Sequence, residues 1–256
     1  MTPFTACNQT FCYDGSLEGF LSAVFDAYAY HVIPFAIEAA GNVQLALGIQ
    51  VLDVKTDASH AERVRIGICN RAGHEAYQKV KKAFLASEEG RELVIFKYIM
   101  QCMACGRQVL NALDDAVVAE VERLARRVAN EQEDMYQFVR FEQLETGLFY
   151  AVINPRNNVL PLIMGHFCAR FNTQPFVIYD EAHKIAGVYD KRRQYLVPSP
   201  ELNVPASSPD EQLYQQLWKT FYDSLSNEQR YNPDLRRNFM PKRFWRNLTE
   251  MKLAIS

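Results

Sequence analysis

The chain has 256 residues, 48% hydrophobic and 23% charged, a balance that excludes wholesale disorder and allows a sizeable core. No apolar run approaches the roughly 20 residues needed to cross a bilayer. The start, "MTPFTACNQTFCYDGS", lacks the basic-then-apolar pattern of a secretory leader, so a cytoplasmic protein is expected. The formal net charge of −2 is unevenly spread. Residues 1–134 carry 13 Lys+Arg against 18 Asp+Glu (−5), and residues 135–256 carry 15 against 12 (+3), which points to an anionic partner for the second part.

Near the start, "FCYDGSLEGFLSAVFDAYAY" reads as a short strand, a turn at Asp14-Gly15 and a helix. Leu17, Phe20, Leu21, Val24, Phe25 and Tyr28 recur at helical spacing, and Ser16 stands where its hydroxyl can cap the first turn. The structural reading is a buried, well-capped helix. The functional reading makes Asp14 and the exposed amides an anion or substrate pocket. Residues 42–55 alternate weakly and fit a strand or a short connector.

Four helices are then predicted, from "HAERVRIGIC", "GHEAYQKVKKAFLAS", "GRELVIFKYIMQC" and "DDAVVAEVERLARRVANEQEDM". The last puts Val117, Val121, Leu124 and Val128 on one stripe, with charges on the solvated faces. Asp114 and Asp115 sit at its start, where the helix dipole favours carboxylates. Cys102 and Cys105 form a CxxC, but at the end of an apolar helix. A redox pair is expected at a helix start, and a zinc site needs a second ligand pair that the chain lacks. The six cysteines are expected to be reduced, and those of the CxxC to be buried structural thiols rather than a metal or redox site.

The texture changes near residue 135. "YQFVRFEQLETGLFYAVINP" reads as two strands joined at Glu145-Thr146-Gly147. "NNVLPLIMGHFCARF" reads as a helix capped by Asn157 or Asn158, with Pro161 in its first turn. "QPFVIYD", "KIAGVYD" and "RQYLVP" are three further strands. The fold class is α+β: a mainly helical part over 1–134, then a mostly antiparallel sheet in the order ββαβββ over 135–256, with C-terminal helices. Residues 197–211, with four prolines, read as a linker. Two final helices are expected, from "DEQLYQQLWKTFYDSL" and around "FMPKRFWRNLTEMK".

The chain has no HExxH, nucleophile elbow, Walker loop, dinucleotide GxGxxG or CxxxCxxC, so no cofactor or metal is expected. Chemistry then rests on two surfaces. In the 158–171 helix, Leu160, Ile163, Met164, Phe167 and Phe171 make the apolar face, and His166 and Arg170 lie four apart on its flank. They form either a partly exposed edge or a phosphate or carboxylate clamp. In "NPDLRRNFMPKRFW", Arg236, Arg237, Lys242 and Arg243 alternate with Phe239, Phe244 and Trp245. Arginine grips phosphates and stacks on bases, and aromatic rings serve unpaired bases. The same aromatics are what a terminal element needs to dock on a sheet. Asp180 is expected to cap a turn.

Several stretches together, "YDGSLEGFLSAVFDAY", "LARRV", "FVRF", "GLFYAVINPRNNVLPLIMGHFCARF", "QPFVIYD" and "NPDLRRNFMPKRFW", resemble a bacterial family of DNA-metabolism proteins, a domain of otherwise unknown function. The resemblance runs through nearly the whole chain in the same order. Relatives are typically encoded beside a radical SAM protein of DNA modification or repair. The second part also resembles a module fused to uracil-DNA glycosylase-like domains. Two departures stand out: Glu133-Asp134 replaces a His-Arg pair, and Phe176 replaces a Trp. The resemblance implies a DNA-repair accessory protein that binds DNA, a radical SAM partner, or both. On this reading Arg236, Arg237, Lys242 and Arg243 meet phosphate, Trp245 packs or stacks, and His166 and Arg170 are second choices. The alternatives are an enzyme acting on a nucleobase or nucleotide, with Asp14, His166 and Asp180 in a pocket between the two parts, and a protein–protein adaptor.

Overall fold

The computed structural model describes residues 3–41, 47–200, 208, 210–211, 214–215, 217 and 240–252, the side chains of 250 and 252 excepted. The chain forms two compact units, residues 1–129 and 130–256. Among the described residues no helix is long and apolar enough to cross a membrane.

The first unit opens with β1 (Thr5–Ala6), β2 (Gln9–Tyr13), α1 (Leu17–Ala29), β3 (Val32–Ile33), β4 (Ala36–Ala39) and β5 (Gln50–Asp53). Strand β2 lies between β4 and β5 and is parallel to both. Parallel neighbours need a crossover, which α1 provides between β2 and β4. Phe11 and Tyr13 on β2 and Phe20 and Val24 on α1 are buried together with Ile37 on β4. The strands at 32–39 are more than the mainly helical reading anticipated, because runs this short carry no clear alternation.

Four helices follow: α2 (Ala58–Ala72), α3 (His74–Phe84), α4 (Arg91–Cys105) and α5 (Ala116–Phe138). Ser22, fully buried on α1, donates to the Asp57 carbonyl at 3.1 Å and accepts from the Asp57 amide at 3.0 Å, fixing the chain where α2 begins. Asp57 caps α2 and Asp115 caps α5, each through its carboxylate. The apolar stripe of α5 starts at Val118 rather than Val117 and runs through Val121, Leu124 and Val128. The CxxC ends α4 as anticipated and Cys102 is buried, but Cys105 is exposed rather than buried, since it is the last residue before Gly106 closes the helix.

In the second unit, β6 (Glu142–Gln143), β7 (Phe149–Ile153), α6 (Leu160–Arg170), β8 (Phe176–Asp180), β9 (Ile185–Tyr189) and β10 (Gln194–Pro198) give the anticipated order ββαβββ. The sheet runs β10-β9-β8-β7-β6; only β7 and β8, joined through α6, are parallel. Helix α6 buries Leu160, Ile163, Met164 and Phe167. Gly187 admits it closely: a β-carbon there would lie 2.4 Å from Met164 Sδ.

Three expectations need correction. Residues 136–138 continue α5 instead of starting a strand, since Met135 and Phe138 bury on the helix's inner face, and β6 shrinks to two residues. Neither Asn157 nor Asn158 caps α6. Val159 holds that position without a side-chain bond, and Asn157 gives its amide to Glu131 instead. The C-terminal helix is broken into a 3-10 turn at Lys242–Asn247 and a short helix, Thr249–Lys252, with Leu248 extended between them. The other expected terminal helix is described only at residues 210–211, 214–215 and 217, which are helical.

Candidate nucleic-acid interface

The basic-aromatic stretch is the first sequence-predicted surface. Arg236, Arg237 and Phe239 lie outside the described residues. Lys242, Arg243 and Trp245 sit in the 3-10 turn. Phe244 is buried and stacks on Phe138, ring centres 5.3 Å apart, so this ring anchors the turn. Arg243 covers the Phe244 ring at 4.5 Å and pairs with Glu131 at 3.2 Å and Asp134 at 3.4 Å. Arg246 meets Glu181 at 3.2 Å. Trp245 donates from its indole nitrogen to the Met240 carbonyl at 2.9 Å. Lys242 is exposed, with its ammonium 5.9 Å from the Trp245 ring. The cations of this turn therefore divide: Arg243 and Arg246 face carboxylates, and Lys242 faces solvent and an indole.

Glu131 organises this end of the unit. Nearly buried, it accepts from the Arg156 amide (2.9 Å), the Asn157 amide (2.8 Å) and the Asn157 side chain (2.7 Å). Three donors and a cation take the place of the water that burial removes from this carboxylate. Burial pushes the Asp134 carboxyl up, more than Arg243 lowers it. Asp134 belongs to the Glu-Asp pair that departs from the resemblance, and its role here is to meet Arg243.

The second predicted surface is the outer flank of α6. His166 and Arg170 are both exposed, as the spacing implied. His166 stacks on Tyr136 of α5, ring centres 4.3 Å apart. Among the described residues no carboxylate pairs with Arg170. Arg170 lines an open groove of ≈ 680 Å³, within the range of small-ligand sites. Its wall is built from Tyr136 near the end of α5, Arg140 and Phe141 just after it, Gln143 of β6, Phe149 of β7, Phe167 of α6, Phe171 just after α6, and Tyr214. The rings brace each other: Phe141 lies 4.8 Å from Phe171, and Phe149 lies 6.2 Å from Phe171. Phe141, Phe149, Phe171 and Tyr136 are only half-buried, and Tyr214 is exposed. Glu211, also on the wall, accepts from the Gln143 amide and the Gln215 side chain. Sequence reasoning missed this groove, although "YQFVRF" at 136–141 interleaves aromatics and a cation much as the C-terminal stretch does.

Asp14 and Asp180 lie in different units, and each is held by local partners. Asp14 accepts from the Ser16 amide (2.9 Å), the Ser16 hydroxyl (2.6 Å) and the Thr56 hydroxyl (2.8 Å). Ser16 in turn caps α1 through the Gly19 amide. Gly19 is required by this arrangement: a β-carbon there would stand 2.2 Å from Asp14 Oδ1. Burial raises the Asp14 carboxyl, but the Ser16 and Thr56 bonds outweigh it and hold it below its ordinary value. Asp180 is fully buried and caps the β8–β9 turn, accepting from the Ala182 and His183 amides. It also holds His183 Nδ1 at 2.7 Å, which turns the other ring nitrogen away from the carboxylate. Among the described residues no cluster of three His, Cys, Asp or Glu could hold a metal ion.

A family model described as a domain of unknown function, DUF4130, matches residues 89–250, more than half of the chain, and the chain belongs to that family. The matched stretch takes in every described residue of the groove wall. A comparison with curated proteins returns no match.

Proposed function

For this member of the DUF4130 family we propose an accessory role in DNA metabolism, exercised by binding DNA, in concert with a radical SAM repair protein of the kind the resemblance implies. The observation that carries the reading is Arg170: an exposed arginine, without a carboxylate partner among the described residues, at an open groove walled by aromatic rings. A cation so placed favours a phosphate, and guanidinium geometry allows two bonds to it. His166, one turn earlier on the same flank, supplies a further donor. Lys242, exposed in the basic-aromatic turn, is a second candidate cation, whereas Arg243, paired with Glu131 and Asp134, acts as an anchor for its turn. Contacts of this kind give salt-dependent binding with little sequence preference.

The test is binding of the full chain to labelled DNA across a salt series. Affinity should fall as salt rises, and Arg170→Glu and Lys242→Glu should each weaken binding and flatten the logarithmic salt slope by about one. Unchanged affinity in the double reversal would remove the phosphate role from these two cations, and absence of binding at low salt would remove the DNA reading altogether.

A further inference from the structure

Five rings of the groove wall keep part of their surface outside the core. Exposed aromatic surface gathered in one concavity marks a binding site more strongly than the same rings scattered singly. The charged groups of the wall decide what fits. Among the described residues Arg170 meets no carboxylate, and the Glu211 carboxylate of the wall already accepts two hydrogen bonds. An apolar peptide face laid into this groove would bury a guanidinium against hydrocarbon, at a cost in desolvation. A flat ring carrying a phosphate meets both features at once, with its π face against the aromatics and its anion at Arg170.

Resting on the DNA-binding reading above, we propose that the groove between the end of α5 and α6 takes an unpaired base, so that the substrate class is single-stranded DNA or a base turned out of a duplex. In an intact duplex both faces of each base are covered by its neighbours, and the wall rings have no face to meet. Tyr136, Phe149 and Phe171 act as the stacking wall, and Arg170 holds the adjoining phosphate. A stacking wall tolerates any base, because each presents a π face.

Binding of the full chain to three probes of like length separates this from phosphate contact alone: an oligothymidylate, the same strand built from abasic residues, and a blunt duplex. The oligothymidylate is expected to bind on the order of 10-fold more tightly than either of the others. Tyr136→Ala should weaken binding of the oligothymidylate more than binding of the abasic strand, so that the preference falls. Because the three-probe comparison uses the unaltered protein, it holds even if a ring substitution disturbs folding. Equal affinity for all three probes overturns the base-binding proposal and leaves DNA binding by phosphate contact standing. No binding to any probe at low salt overturns both.

Discussion

The Arg243 guanidinium lies 3.2 Å from the Glu131 carboxylate, which is only 3% exposed and already accepts from two backbone amides and the Asn157 side chain. The two partners are unequal, since Arg243 keeps 31% of its side-chain surface. Removing the carboxylate strands three donors and a cation, whereas removing the arginine leaves the carboxylate with its amide bonds. Glu131→Ala should therefore cost about 3 kcal/mol and Arg243→Ala clearly less. Urea denaturation at neutral pH measures both. Equal losses would mean that the cation, not the amide bonds, holds Glu131 in place.

Asp14 gives a pH dependence of defined sign. Its carboxyl is held below its ordinary value in the folded chain, so its stabilising contribution is complete above the unfolded value of about 4. The contribution is lost as pH falls through the lower, folded value. Asp14→Asn carries no such titration. The unaltered protein should be the more stable at neutral pH, with the difference shrinking as pH drops below about 4. Paired unfolding curves at several pH values test this, and a difference that grows on acidification would refute it.

Gly187 and Met164 should be energetically coupled. A β-carbon at 187 would sit 2.4 Å from Met164 Sδ and 3.2 Å from Leu160 Cδ1. Gly187→Ala should destabilise by about 1–3 kcal/mol, the lower figure if the flexible methionine yields. The double variant with Met164→Ala should lose less than the sum of the two single losses, by on the order of 1 kcal/mol. Strict additivity in this cycle would show that the helix–sheet approach is not limited by that side chain.

The two thiols of the CxxC should behave differently. Burial pushes the Cys102 thiol up to about 12, so it carries almost no thiolate at neutral pH. Cys105 is exposed at the end of α4. Alkylation of the native protein followed by peptide mass mapping should label Cys105 and spare Cys102 until the chain is unfolded. Equal labelling of both in the folded protein would reopen a redox role.

Much of this was written locally. Residues 9–29 announce their strand, turn and helix because the Asp14-Gly15 turn, the Ser16 hydroxyl and the 3.6-residue apolar period each act within a few residues. The order ββαβββ could be read for the same reason: short turns force antiparallel neighbours, and a helix between β7 and β8 permits a parallel pair. The exposed flank of His166 and Arg170 also follows from helical period alone.

What the chain could not announce depends on partners distant in sequence. Asn157 looks like a cap until Glu131, 26 residues earlier, takes its amide. Arg243 reads only as one cation of a basic stretch, and folding brings it to Glu131 and to Asp134, the latter 109 residues away. The groove draws Tyr136, Phe149, Arg170 and Tyr214 from four separate stretches. Local periodicity sets which faces are apolar and which elements form. Which charges are neutralised, and which rings keep an open face, is set by long-range packing, because desolvation and pairing depend on neighbours that only the fold supplies.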